Sequence, residues 1–272
     1  MMGFVGSSTR VGPCRIERVE YVRPVDTSQS WRRVYLATDE LPINHIDLCF
    51  RAGYHRRPVA GNRAGKFTHC LEWPTLLPTQ LKELIDLLTE VLVLPTADSG
   101  LNGAVALDWY KIVDADKPSM QWENTEVGQL VHEAKYYLND ATKQRLARAA
   151  LLRRLSDAVQ RHPALNSVPY MVSVPGHTSD GMSTAEQIAA DLAQRTDKIL
   201  VRMEGRPRPE RKGEQRARLT GTFTSPMTLN APCVIVDDVY RSGETLREAA
   251  RAARAAGAGR VYGLVAAKTR RS

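Results

Sequence analysis

"APCVIVDDVYRSGETLREAARAARAAGAGRVYGLVAA", residues 231–267, decides the fold. An apolar run from Cys233 to Val236 ends in two adjacent carboxylates, Asp237 and Asp238. Val239 and Tyr240 lead into a Ser-Gly turn, and an alanine-rich helix with glycine at its end follows. A second apolar run, Val261 to Ala267, closes the stretch. Short, wholly apolar runs bounded by turn residues read as strands buried on both faces. Strand, loop, helix and strand in that order make a parallel βαβ unit.

The loop of this unit has a chemistry of its own. A helix launched from the C-terminal end of a parallel strand presents unpaired backbone amides at its positive end, which suits a phosphate. Gly243 lets the backbone approach closely, and the hydroxyls of Ser242 and Thr245 can donate to the same oxygens. Asp237 and Asp238 would oppose a phosphate if they faced it. Placed before the loop, they are expected to face a neutral diol or a hydrated Mg²⁺. Phosphate at one end with hydroxyls and metal at the other implies a phosphorylated sugar.

Upstream, "VPYMVSVP" reads as another buried strand, followed by "GHTSDGM" and a helix over "STAEQIAADLAQR". Ser183 and Glu186 have the spacing of a capping box. "DKILVRM" is the next strand. "EGRPRPERKGEQRARLTG" is basic, contains Pro and Gly, and fits no regular element. From Thr125 an apolar stripe of Val127, Leu130, Val131, Ala134 and Leu138 marks a helix, with a second helix to about Val159. "AVALDWYKIV" is a short strand. "PTQLKELIDLLTEVLVLP" reads as a helix between Pro78 and Pro95, carried by Leu81, Leu84, Ile85, Leu88, Val91 and Leu92. Before it, pieces such as "RVYLA" and "HIDLCF" read as short strands and loops.

The whole chain of 272 residues is long enough for one large or two modest domains without covalent staples. Hydrophobic residues at 43% and charged residues at 25% are ordinary for a globular protein, so disordered and fibrous classes are excluded. A net charge of +8 and a pI near 9.5 favour anionic partners: nucleic acid, an acidic protein or a phosphorylated small molecule. Cys14, Cys49, Cys70 and Cys233 form no regular framework and read as reduced thiols. No segment approaches the ~18 apolar residues of a membrane span, and the N-terminus has no signal-peptide core, so a cytoplasmic location is expected.

"CVIVDDVYRSGET" resembles the signature of type I phosphoribosyltransferases, an apolar strand carrying two acids and then a Ser/Thr-Gly-x-Thr loop. The resemblance implies an α/β fold with a parallel-sheet core and a ligand, phosphoribosyl pyrophosphate. Its 5-phosphate would lie on Arg241, Ser242, Gly243, Glu244 and Thr245, beside Val239 and Tyr240. Its ribose hydroxyls and Mg²⁺ would lie on Asp237 and Asp238. Arg241 departs from the pattern, which usually has a small residue there. The loop after "VSVP" would hold the pyrophosphate with Pro175, Gly176 and His177. The basic stretch from Arg206 to Arg218, with Arg206 and Arg208 in catalytic positions, matches either a closing loop or a nucleic-acid contact.

Within the family, "EVGQLVHEAKYY" and "RARLTGTF" resemble segments of the ComF-like group. The paired CxxC motifs of that group's zinc ribbon are absent. Cys14, His45, Cys49, His69 and Cys70 have spacings that match no ribbon. The resemblance covers residues ~125–272. It implies a phosphoribosyltransferase domain over 125–272 and an accessory or hood region over 1–124, which holds Trp31, Trp73, Trp109 and Trp122. Each tryptophan suits a core as well as a stacking platform.

The activity implied is Mg²⁺-dependent transfer of ribose 5-phosphate to a nitrogen nucleophile, with the acceptor unspecified. The alternative is a non-catalytic module that binds phosphoribosyl pyrophosphate or a nucleotide in regulation or DNA handling. Nucleic acid and a second copy of the chain remain open as partners; a membrane does not.

Overall fold

The computed structural model describes residues 14–24, 30–50, 53–136, 140–176, 182–205 and 221–270. The chain divides into two compact units, Met1–Leu77 and Pro78–Ser272.

In the first unit, strands β1 (Arg18–Val22) and β2 (Arg32–Ala37) precede helix α1 (Glu40–Phe50). Strands β3 (His55–Arg57) and β4 (His69–Trp73) follow. The strands form an antiparallel sheet in the order β1-β2-β4-β3. Val34 and Leu36 on β2 and Leu71 on β4 are fully buried, which fixes the register of the middle pair. "HIDLCF" is helical rather than the expected strand or loop. Ile43 and Ile46 bury at three-residue spacing, and Pro42 sits in the first turn, where its missing amide is harmless.

The second unit begins with α2 (Thr79–Glu90), β5 (Leu92–Val93) and β6 (Gly103–Trp109), then α3 (Glu126–Tyr136), α4 (Ala141–Arg161) and α5 (Pro163–Ser167). Next come β7 (Tyr170–Ser173), α6 (Thr184–Arg195), β8 (Ile199–Arg202), β9 (Glu204–Gly205) and β10 (Phe223–Thr224). The unit ends with β11 (Cys233–Tyr240), α7 (Glu244–Ala255) and β12 (Val261–Lys268). A six-stranded sheet runs β5-β6-β12-β11-β7-β8 and is parallel except for β5. The α/β class and parallel core read from the sequence are present.

One expected element ends early. The helix read to Pro95 stops at Glu90, because Val91, Leu92, Val93 and Leu94 are all buried. Four consecutive residues span most of a helix's circumference, so one helical face cannot bury them all; an edge strand between sheet and helices can. Leu92 and Val93 pair with Ala106 and Val105. The two compact units meet at 77/78, and β6, from the stretch read as accessory, hydrogen-bonds beside β12 in the six-stranded sheet.

The order of the strands positions the site. From β7 the chain crosses outward to β8; from β11 it crosses the opposite way to β12. Right-handed crossovers in opposite directions put α6 and α7 on opposite faces of the sheet. α6 packs on β11, β7 and β8 together with α4, while α7 packs on β11 and β12. Ends of neighbouring strands whose crossovers diverge leave a crevice, here between the C-terminal ends of β7 and β11. Among the described residues, no helix is long and apolar enough to cross a membrane.

Candidate active site

β11 carries Asp237 and Asp238 within its length, not at an exposed end as the sequence suggested. Each is only 9% exposed, and Val239 and Tyr240 continue the strand by pairing with Ala267 and Lys268. Side chains alternate along a strand, yet both carboxylates lie close enough to Lys135 to act on its charge. Asp237 Oδ1 accepts the Asp238 amide at 2.9 Å. Asp238 Oδ2 accepts from Lys135 Nζ of α3, also at 2.9 Å. Burial disfavours the Lys135 charge, yet Asp238, Tyr136 and Asp237 hold its pKa above the ordinary value. The lysine is therefore a fixed cation beside the acids.

α3 is set at this distance by a close approach. A Cβ on Gly128 would fall 1.9 Å from the Tyr110 carbonyl oxygen, so only glycine lets the helix cross the end of β6 there. Thr125 Oγ1 accepts the Gly128 amide at 2.9 Å and caps the helix. Lys135 lies two turns further on.

Arg241, Ser242 and Gly243 form the turn after β11, and Glu244 and Thr245 open α7. Gly243 is the N-cap, with φ 77° and ψ −2°, in the left-handed region. A side chain there would also meet the Tyr240 hydroxyl at 2.6 Å. No side chain caps α7. Its first-turn amides have no intrahelical partners, and such a terminus suits an anion.

On the other side of the crevice, Ser173 ends β7 opposite Val236 of β11. Its Oγ is buried and has no hydrogen-bond partner among the described residues. Leaving such a group unpaired costs about 1–3 kcal/mol. Pro175 and Gly176 follow. A Cβ on Gly176 would lie 2.5 Å from Ser183 Cβ, so the chain returns to this point at the N-terminus of α6. The capping box there is formed: Glu186 N donates to Ser183 Oγ at 3.2 Å and Ser183 N to Glu186 Oε2 at 2.8 Å. Pro175 and Gly176 thus follow β7, and residues 241–245 follow its neighbour β11. His177, Arg206, Arg208 and the rest of the basic stretch through Arg218 lie outside the described residues.

The stem of that stretch is described. β9 and β10 pair antiparallel, Phe223 opposite Gly205, and Gly205 lies against the Pro175 ring. Glu248 of α7 is buried and accepts the Phe223 amide at 3.0 Å; Arg251 donates to the Phe223 carbonyl at 3.0 Å and pairs with Glu248. Burial raises the Glu248 pKa, but Arg251 and the Phe223 amide bring it below the ordinary range. The stem is fastened to α7, the helix that Gly243 opens.

Beside Asp238 is a pocket of about 450 Å³, which sequence reasoning missed. Tyr110 and Lys111 follow β6, Trp122 comes from the next loop, Lys135 and Tyr136 from α3, and Arg241 and Arg270 from the ends after β11 and β12. The one sequence signal for it was the Lys-Tyr pair of "HEAKYY". Burial, reinforced by Tyr136 and Asp238 and opposed by Lys135, raises the Tyr110 pKa. Among the described residues, no cluster of three or more His, Cys, Asp or Glu side chains is placed to hold a metal. Cys14, Cys49, Cys70 and Cys233 form no disulfide.

No family model matches the chain, and no curated protein matches it. Among solved structures it is similar to the orotate phosphoribosyltransferase of Aeropyrum pernix, with 20% identity and a TM-score of 0.32. That likeness covers 57% of this chain and 71% of the other. It is also similar to the adenine phosphoribosyltransferase of Leishmania tarentolae, with 11% identity and a TM-score of 0.36, covering 64% and 94%.

Proposed function

We propose that the second unit transfers ribose 5-phosphate from phosphoribosyl pyrophosphate to a nitrogen nucleophile. One observation carries the reading. At the crevice where crossovers diverge, β11 delivers two buried acids and, five residues after the second, an uncapped helix start led by Gly243. The 5-phosphate belongs on residues 241–245, the ribose hydroxyls on Asp237 and Asp238, and the pyrophosphate on the Pro175–Gly176 side with His177. The assignment of Arg206 and Arg208 to the pyrophosphate stays part of this proposal, since their stem abuts Pro175.

The two acids suit Mg²⁺ that arrives with substrate. This ion keeps several waters and takes one or two carboxylates plus phosphate oxygens, so two side chains suffice. When bound, it neutralises charge on the departing pyrophosphate. Transfer breaks the bond from ribose C1 to pyrophosphate oxygen, whose electron pair leaves with pyrophosphate. The acceptor nitrogen forms the new bond to C1; an N–H acceptor then releases its proton to solvent, and a pyridine-type nitrogen keeps the positive charge. Positive charge develops on the ribose ring, close to Asp237 and Asp238, where carboxylates stabilise it. The protein otherwise works by holding C1 and the acceptor in line.

The test is pyrophosphate release from phosphoribosyl pyrophosphate and Mg²⁺ in the presence of a panel of nitrogen bases. Acceptor-dependent release is expected. Tight binding with no release under any acceptor would leave a sensor in place of an enzyme.

A further inference from the structure

We propose that the pocket beside Asp238 takes a planar acceptor bearing an anionic group, a carboxylated heterocycle, with Lys111 and Arg270 holding the anion. The acceptor role rests on the transfer reading above. Among the described residues, the lining of the pocket holds four cations, Lys111, Lys135, Arg241 and Arg270, and no carboxylate. Lys135 shares its charge with Asp238, and Arg241 adjoins the phosphate turn. Lys111 and Arg270 have neither constraint. Lys111 Nζ donates to the carbonyls of Ser119 and Met120, at 3.1 Å each. The Arg270 guanidinium lies over the Trp109 ring, 4.2 Å from its centroid. Carbonyls and a ring face orient a cation without neutralising it, so both charges stay available to an anion.

The rest of the lining selects a ring. Trp122 is pinned, its Nε1 donating to the carbonyls of Asp114 at 2.7 Å and Lys117 at 2.9 Å. What it offers the pocket is its carbon face. Tyr110 and Tyr136 add two further aromatic surfaces. A volume of about 450 Å³ accommodates a one- or two-ring molecule and is within the usual range of small-ligand sites. Since Lys135 bridges the pocket to Asp238 at 2.9 Å, a ring held here lies next to the proposed ribose site.

The experiment compares matched probes by calorimetry: orotate against uracil, and nicotinate against nicotinamide. Each is measured on the protein alone and again with Mg²⁺ and ribose 5-phosphate. The carboxylated member of each pair is expected to bind at least tenfold more tightly. A Lys111→Met/Arg270→Met double variant is expected to lose that preference while binding phosphoribosyl pyrophosphate as the wild type does. Equal affinities within both pairs, or a preference that survives in the double variant, would overturn the inference and leave the transfer reading standing. Displacement of every probe by a single-stranded oligonucleotide, in a salt-dependent way abolished in the double variant, would overturn it in favour of a nucleic-acid site. An intact carboxylate preference in a protein that does not bind phosphoribosyl pyrophosphate would overturn the transfer reading and the acceptor role with it.

Discussion

The charged side chains of the antiparallel sheet and the cations of the pocket in the parallel unit differ in what they rest on. Ion pairs such as Lys135–Asp238 and Arg251–Glu248 occur in the second unit too. In the antiparallel sheet of residues 1–77, cations meet carboxylates across strands. Glu72 on β4 is buried between Arg33 of β2 and Arg57 of β3, each at 2.7 Å. Arg56 reaches Glu40 and Asp47, and Arg63 reaches Glu20. These pairs satisfy one another and hold the sheet. In the parallel unit, the pocket cations Lys111 and Arg270 rest on carbonyls and a ring face. Charge that is compensated within the fold serves structure; charge that is oriented but not compensated is left for a ligand.

That contrast can be broken by titration and substitution. The largest effect expected is acid destabilisation of the first unit through His45. Burial lowers its pKa from 6.5 to about 4, so the unfolded state binds the proton more readily between those values. Stability from neutral His45 is therefore full above pH 6.5 and falls as pH drops toward 4, by up to about 3 kcal/mol. Glu72 adds to the loss further down. Burial raises its pKa, but Arg57 and Arg33 hold it below the ordinary value, so its contribution fades as it protonates. Hydrogen exchange read over residues 14–77 across pH 7 to 4 checks this, and a His45→Leu variant should flatten the upper part of the profile.

Next in size, Glu72→Ala should cost about 2 kcal/mol, since it strands two arginines; their partial exposure keeps the figure below that of a fully buried pair. Smallest are Lys111→Met and Arg270→Met, each expected to change stability by no more than about 0.5 kcal/mol. Chemical denaturation with both units resolved by exchange measures all three. A pocket variant costing as much as Glu72→Ala would mean that those cations are structural after all.

The sequence was legible where burial leaves a continuous apolar run. Cys233–Val236, Val261–Ala267 and Tyr170–Val172 are covered on both faces, so their strands showed directly, as did the Ser183–Glu186 box. Reading failed where position depends on a distant partner. β6 joins β12 although some 150 residues separate them, so its place in the core sheet was not visible locally. Val91 to Leu94 kept a helical look because only a sheet edge could make them a strand. Lys135 meets Asp238 across 103 positions, and nothing local in "HEAKYY" announces it. The acids themselves were visible, but not that Val239 and Tyr240 extend the strand beyond them and keep them buried.

The central claim is that the end of β11 and the start of α7 form a site for a Mg²⁺-borne phosphoribosyl ligand. Calorimetry of phosphoribosyl pyrophosphate, with and without Mg²⁺, on the wild type and on Asp237→Asn/Asp238→Asn tests it most directly. Circular dichroism must accompany it, because Asp238→Asn also deprives Lys135 of its ion pair. Mg²⁺-dependent binding by the wild type, weakened at least tenfold in a variant that remains folded, is the predicted result. Binding of equal strength in the folded double variant, or none by the wild type, would contradict the account.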